Sequence, residues 1–284
     1  MQMFNAKEKF EIVKNNNNIP ESEKSKIFSL FEVAEQVGFG KFGRTEMYTF
    51  KECKFPRCTA VMSMDGTKAG ALMEWSKREV VQKMKDLLFN PPYHNKVLTD
   101  IDINIIGDLA LAEPDKQRDD AGTVGTNEHD NIENFLNGKD YKQTEQFLLF
   151  KYVWELEKPE LICTEMPLIW RTEKDFGFGG RLDILAYKNG SYIIYDLKTS
   201  KSVHQSYALQ TSAYKEAVSL MSGYQIVPAT TKIIHIPDVK TLKDYQLKEY
   251  KKRGGLIECN NLEEAFEHYK ILLSQYYKRN NKYF

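Results

Sequence analysis

An α/β fold is expected, with a central mixed β-sheet flanked by helices and a largely helical N-terminal region. Three observations point to it. Two strand-like runs, Arg181–Lys188 and Ser191–Lys198, flank Asn189-Gly190. That dipeptide is the strongest short hairpin signal, because a type I′ turn needs positive φ at both central residues. Further strand-like runs lie on either side, at Leu161–Trp170 and Thr231–Ile236. Helical periodicity appears at Ala71–Phe89, Gln205–Leu220 and Leu262–Tyr277.

Composition sets the bounds. With 284 residues, 42% of them hydrophobic and 12% aromatic, the chain is globular and long enough for one large domain or two small ones. Its 40 basic and 40 acidic residues cancel, which counts mildly against a nucleic-acid binder, though a local basic groove and bound cations would still attract a polyanion. Cysteines 53, 58, 163 and 259 form no C-x-x-C pair and imply no disulfide framework, which suits a reducing compartment. No positive region followed by an apolar run opens the chain, and no apolar run has membrane-spanning length. A cytoplasmic location without membrane partners is therefore expected, in the host if the protein is viral.

Taken in order, residues 1–30 are polar and poorly periodic, with one helix at Ser22–Leu30. Met47–Phe50 reads as a strand. Gly38–Gly43 is glycine-rich but lacks the G-K-[ST] ending of a phosphate loop, so a turn is the better reading. Ala71–Phe89 is an amphipathic helix stopped by Pro91-Pro92. Leu98–Ala112 is apolar and ambiguous, and 113–124, charged and then glycine-containing, reads as a loop. Thr126 or Asn127 can cap a helix to about Phe135, which sets His129 and Glu133 one turn apart on one face. Gln143–Leu156 reads as a core-facing helix and Leu161–Trp170 as a strand carrying Glu165. Asp175–Gly180 is a glycine-rich turn into the hairpin.

The hairpin carries the chemistry. Counting outward from a two-residue turn, Lys188 faces Ser191, Tyr187 faces Tyr192, Leu185 faces Ile194, and Asp183 faces Asp196. Opposed side chains sit roughly 5 Å apart at Cβ, and like charges there destabilise a sheet. Two facing carboxylates need a reason, and a divalent cation is the commonest. Lys198, two residues beyond Asp196, points to the same face. A polar link, Thr199–Ser202, follows. Gln205–Leu220 is then a helix with Gln210 and Tyr214 one turn apart. His204 and His235 read as a surface and a sheet residue. Lys240–Arg253, with five lysines and one arginine, reads as a solvated face, and the chain from Lys278 onward as a frayed basic end.

Asp183, then Asp196-Leu197-Lys198-Thr199, then Gln210 to Tyr214 resembles the PD-(D/E)XK nuclease superfamily. More closely it is similar to RecB-type exonucleases of the phage and mitochondrial genome-maintenance kind, whose motifs read GxxD, DxKT and QxxxY. Upstream, Gly125, Thr126, His129 and Glu133 match a G-T-x-x-H-x-x-x-E motif position for position. Glu165-Met166-Pro167 resembles an E-x-P strand of that family, and Phe55–Val61 loosely resembles its early P-S-V-T segment. The resemblance implies a restriction-endonuclease-like core over 113–284 and an N-terminal region, 1–112, that guides DNA. It implies Asp183, Asp196 and Lys198 as catalytic residues, and His129, Asp183, Asp196 and the Leu197 carbonyl as metal ligands. Gln210 and Tyr214 border the site and bind substrate; Glu133 and Glu165 are secondary. Related enzymes of CRISPR systems hold an iron–sulfur cluster on one early and three late cysteines. Here only Cys259 is late, so no cluster is expected.

Phosphodiester hydrolysis needs an activated water, charge neutralisation at phosphorus and support for the leaving oxygen, and one or two Mg²⁺ or Mn²⁺ ions serve all three. Such cations prefer carboxylates and carbonyls, and an imidazole makes Mn²⁺ suitable. Lys198 would orient or deprotonate the water, or stabilise charge on the phosphate. The expected activity is thus a metal-dependent DNA exonuclease acting on single strands or free ends, with a recombinase, helicase or annealing protein as a conceivable partner. The alternatives are an endonuclease of the same fold, of resolvase or restriction type, and a catalytically silent DNA-binding scaffold.

Overall fold

The computed structural model describes residues 4–172 and 176–280. The chain opens with helices α1 (Ala6–Lys14) and α2 (Glu21–Ala34), then strands β1 (Val37–Phe42), β2 (Thr45–Phe50) and β3 (Cys53–Pro56) and the short helix α3 (Cys58–Met62). Helices α4 (Thr67–Phe89), α5 (Asp100–Leu136) and α6 (Glu145–Glu157) follow. Then come β4 (Glu160–Arg171), β5 (Gly177–Lys188), β6 (Ser191–Lys198), α7 (Ser206–Met221) and β7 (Thr230–His235). The chain ends with α8 (Asp244–Arg253), β8 (Leu256–Glu258) and α9 (Leu262–Asn280). Among the described residues no helix is long and apolar enough to cross a membrane.

Two compact units emerge: residues 1–64 with 128–284, and residues 65–127. The first holds a five-stranded sheet of order β4-β5-β6-β7-β8. Its pairings are antiparallel except β6–β7, which is parallel. A parallel pair needs a crossover connection, and α7 supplies it. Helices cover both faces. On one, Leu182, Leu185, Tyr187, Tyr192 and Ile194 pack with residues of α1, α2, α3, α7 and α9; Phe31, Val218 and Leu273 are fully buried there. On the other, Ile184, Ala186, Ile193, Tyr195 and Leu197 pack with Ile132, Phe147 and Phe150. Burial on both faces explains why Tyr192–Tyr195 is a continuous apolar run rather than an alternating one. The second unit pairs α4 with the first part of α5 through Lys83–Glu113 (3.2 Å) and a Gln117–Glu79 hydrogen bond (3.1 Å).

The hairpin has the expected turn and register as far as Ile184–Tyr195, but the expected Asp183–Asp196 rung is not paired. Asn189 and Gly190 have φ of 52° and 81°, and Lys188–Ser191, Tyr187–Tyr192 and Leu185–Ile194 are paired. The helices expected at 71–89, 143–156, 205–220 and 262–277 all form.

Four stretches differ from expectation. Gly38–Gly43 is not a turn: Val37–Phe42 forms strand β1 paired with β2, and the turn falls at Gly43, where φ is 62°. The N-terminal region thus holds a three-stranded antiparallel sheet besides its helices. The supposed loop 113–124 lies inside α5. Its charges sit at helical spacing, as in Gln117–Glu113 (3.1 Å) and Arg118–Asp115 (3.0 Å), and such pairs support a helix. Thr126 does not cap a new helix either; its hydroxyl donates back to the Gly122 carbonyl within the same one. The expected turn 175–180 is strand from Gly177, pairing with Arg171 and onward along β4; Asp175 lies outside the described residues. Lys278 and Arg279 are helical rather than frayed, and 281–284 lie outside the described residues.

Candidate active site

Regular pairing of β5 with β6 ends at Ile184–Tyr195. One residue beyond, the Leu197 N–H donates to Asp183 Oδ2 at 2.7 Å. A carboxylate thus takes an amide that a continuing ladder would have given to a backbone carbonyl. This bond fixes one Asp183 oxygen. On its other side, β5 pairs with β4 at Thr164–Ile184 and Met166–Leu182. Glu165, between those rungs, has φ of 53°. Among the described residues it is the one non-glycine with positive φ inside a strand. A backbone held there costs on the order of 1–3 kcal/mol and persists only when surrounding structure enforces it.

The result is a three-residue cluster. One ligand atom each from His129, Glu165 and Asp183 lie within 4.8 Å of one another, and His129 Nδ1 is 3.8 Å from Asp183 Oδ1. Around a Mg²⁺-sized ion, opposed ligands are about 4.2 Å apart and adjacent ones about 3 Å, so the three groups would draw together to close on one cation. Two carboxylates and an imidazole suit Mn²⁺ as well as Mg²⁺. Burial, then the charges of Asp183, Glu133 and Asp130, push the Glu165 carboxyl up to about 8 despite Arg181.

Beside the cluster, Asp196 is 0% exposed and forms an ion pair with Lys198. Apart from Lys198, neither of its oxygens has a hydrogen-bond donor among the described residues. Burial and the nearby Asp183 raise its pKa to about 6, with Lys198 opposing. A buried carboxylate left this short of donors fits a bound cation. Burial alone would pull the Lys198 ammonium down, but Asp196 and Asp183 outweigh it and hold the group charged. Lys198 Nζ lies 5.2 Å from the centre of the Tyr207 ring, and the Tyr207 hydroxyl is 2.7 Å from Ser200 Oγ.

Gln210 Nε2 donates to the Tyr214 hydroxyl at 2.9 Å. Tyr214 is buried; burial raises its pKa strongly, and the charges of Cys58, Asp196 and Asp183 add to it. Gly180 makes room for the ring: a Cβ there would lie 2.7 Å from Tyr214 Cε1. Of the pair only Gln210 keeps part of its surface exposed. Glu133 is not in the ligand cluster; its Oε1 accepts from Thr164 Oγ1 at 3.3 Å. Leu197 buries its side chain on the opposite face of the sheet from Asp196.

Three neighbours escaped the sequence reading. Arg181 Nε is 2.7 Å from Glu165 Oε2. Its signal was available, since it stands two residues before Asp183 on the same strand. Tyr207, in the first turn of α7, had no such marker. Lys9 had none either: its buried ammonium donates to Thr164 Oγ1 (2.9 Å) and Asn137 Oδ1 (2.7 Å), directly behind Glu165.

No curated protein matches the chain. Among solved structures, the crystal structure of SSO0001 aligns at 13% identity and a TM-score of 0.31, over 70% of this chain and 86% of that one; a likeness this low carries no argument. The family model of the PD-(D/E)XK nuclease superfamily matches residues 108–280, well over half of the chain, and takes in the His129 helix, the hairpin and α7. Its nucleases use divalent metals, and the donor set around Asp183 is consistent with one. The chain belongs to the PD-(D/E)XK nuclease superfamily.

Proposed function

We propose that the chain is a metal-dependent DNA exonuclease of the RecB-like branch, acting at single-stranded or free ends in replication, recombination or repair. The observation that carries the nuclease chemistry is the juxtaposition of the His129–Glu165–Asp183 cluster with the buried Asp196–Lys198 pair. The exonuclease part rests on the His129–Glu133, Asp196–Thr199 and Gln210–Tyr214 motifs.

A bound Mg²⁺ or Mn²⁺ would polarise the phosphoryl group and lower the pKa of an attacking water. His129, Asp183, Asp196 and Glu165 are the residues to hold it, with the Leu197 carbonyl as a further ligand. The Leu197 N–H keeps Asp183 turned toward the cluster. Lys198, held as an ammonium by its two aspartates, is suited to orient the water and to offset charge on the phosphate rather than to take a proton. Gln210, braced by Tyr214, would meet the substrate at the border of the site. Guidance of the strand is assigned to the N-terminal region, 1–112.

The test uses end-labelled single- and double-stranded DNA and a covalently closed circle, each with Mg²⁺, Mn²⁺ or EDTA. Metal-dependent loss of linear DNA with the circle spared is expected. Lys198→Ala should lower the rate by about 10²–10³-fold, the range for loss of one preorganised charge-stabilising donor. Cutting of the circle would replace the exonuclease by an endonuclease. Binding without cleavage under every condition would leave a scaffold.

A further inference from the structure

The contact between Arg181 and Glu165 is unusual for a metal site. A guanidinium already pairs with one of the carboxylates that a cation would use. Arg181 is also 38% exposed on its side chain, while Asp196 is sealed. A second guanidinium stands close by. Arg57 pairs through its backbone with Gly179, two residues before Arg181 on the same strand and therefore on the same face. Its side chain is 45% exposed, with NH1 2.7 Å from Glu46 Oε2. The Tyr48 phenol, whose pKa burial raises to about 12, feels both arginines and Glu165 together. Arg57 stands where the family's early P-S-V-T segment, which Phe55–Val61 loosely resembles, has another residue.

We propose that Arg181, with Arg57 beside it, is a phosphate subsite for the nucleic-acid strand, and that it opens when a cation takes Glu165 from Arg181. The proposal rests on the nuclease reading and deepens it. Charge counting gives the logic. With Glu165 ionised, as its 2.7 Å pair with Arg181 favours, Glu165, Asp183 and Arg181 together carry one negative charge, and the Asp196–Lys198 pair cancels. A divalent ion turns that total to one positive. The same ion draws on the Glu165 lone pairs and sits beside a guanidinium, so the 2.7 Å pair weakens. Arg181 is then an exposed forked donor next to the metal, and a phosphate oxygen pair is the ligand whose geometry it matches. Before the ion arrives the cluster repels a polyanion; afterwards it attracts one. Metal and strand should therefore bind with positive coupling, and by linkage each tightens the other equally.

Arg181→Gln tests this with two readouts of opposite sign. Mn²⁺ affinity is measured calorimetrically on the metal-free protein. Strand affinity is measured by anisotropy of a labelled single-stranded oligonucleotide, with Mn²⁺ present and in a Lys198→Ala background so that nothing is cut. Removing Arg181 should leave Mn²⁺ affinity unchanged or several-fold tighter, because the competing cation is gone. Strand affinity should fall about tenfold, as expected for one charge-assisted forked contact. The slope of log K against log salt should shrink by about 0.7, one phosphate's worth on a single strand. Arg181→Lys keeps the charge and should recover part of the strand affinity, and Arg57→Gln should lose less than Arg181→Gln. Weaker Mn²⁺ binding in Arg181→Gln at an unchanged melting temperature, or strand binding as tight as wild type, would overturn the subsite while wild-type cleavage left the nuclease reading standing. Failure of the wild type to bind Mn²⁺ at all would overturn both.

Discussion

The two ends of the β5–β6 hairpin are made of the same two strands and behave oppositely. From Lys188–Ser191 to Ile184–Tyr195 every residue has its cross-strand partner, Tyr187 and Tyr192 meet edge to face at 5.4 Å, and the turn takes the two positive φ angles it needs. Past Tyr195 the order ends. Asp183 takes the Leu197 amide, Glu165 is left-handed on the neighbouring strand, and Asp196 is buried with Lys198 as its one donor among the described residues. One end is satisfied and apolar. The other gathers backbone strain and buried charged groups, which is where the chemistry of this superfamily is expected. Local rules are broken where function needs them broken.

The largest effect that separates the two ends is metal binding. Wild type with Mn²⁺ at a hundredfold excess over its Kd should gain about 2.7 kcal/mol, or roughly 5–10 °C in melting temperature. Asp196→Asn should lose that gain. The effect should depend on pH in a definite direction. In the metal-free protein Glu165 is raised to about 8 and Asp196 to about 6, mainly by burial. A carboxyl raised in this way contributes stability below its ordinary pKa, and that contribution is lost as pH rises through the raised value. Metal binding expels these protons. The Mn²⁺-induced rise in melting temperature should therefore grow from pH 5 to pH 8. A rise that is flat across that window, or equal in Asp196→Asn, would dissociate the buried carboxylates from the site.

This contrast also explains what could be read from the sequence. Turn chemistry is local, so Asn189-Gly190 fixed the register, and counting by two placed Asp183, Asp196 and Lys198 on one face. The helix carrying His129 and Glu133 was visible from spacing. Glu165 as a full member of the ligand cluster was not, because its position depends on a left-handed φ that no strand pattern announces. Lys9 reaches Thr164 from 155 residues away, and separations of that size leave no local trace. The stretch 113–124 misled because Gly122 and Pro114 signal a break that the surrounding i,i+3 and i,i+4 pairs outweigh. Strand β8 has three residues, too few for a period of two to register.

The middle of the contrast can be probed at Gly180, which supports the site without touching the cation. A methyl group there would press on Tyr214 at 2.7 Å, and that ring is buried with no room to swing away. Gly180→Ala should destabilise by about 1–3 kcal/mol, the usual cost of overpacking. By shifting Tyr214 it should also displace Gln210, so strand affinity should fall while Mn²⁺ affinity holds. Equal losses in both would mean that the change reaches Asp183 through the backbone instead.

The smallest effect belongs to the turn end. Gly190 has φ of 81° with nothing within 4 Å of where a Cβ would stand, so only the backbone objects to a side chain there. Gly190→Ala should cost about 1 kcal/mol, the price of a left-handed alanine. The strands are held by β4 and β7 on either side, so the rungs should re-form once the turn has adjusted. Thermal melts should show the loss of stability, with the Mn²⁺ response and cleavage rate as in wild type. If Gly190→Ala instead weakened metal binding, register at the turn would be setting the geometry at Asp183 across five rungs. The two ends of the hairpin would then be one mechanical unit rather than a scaffold with a separately built site.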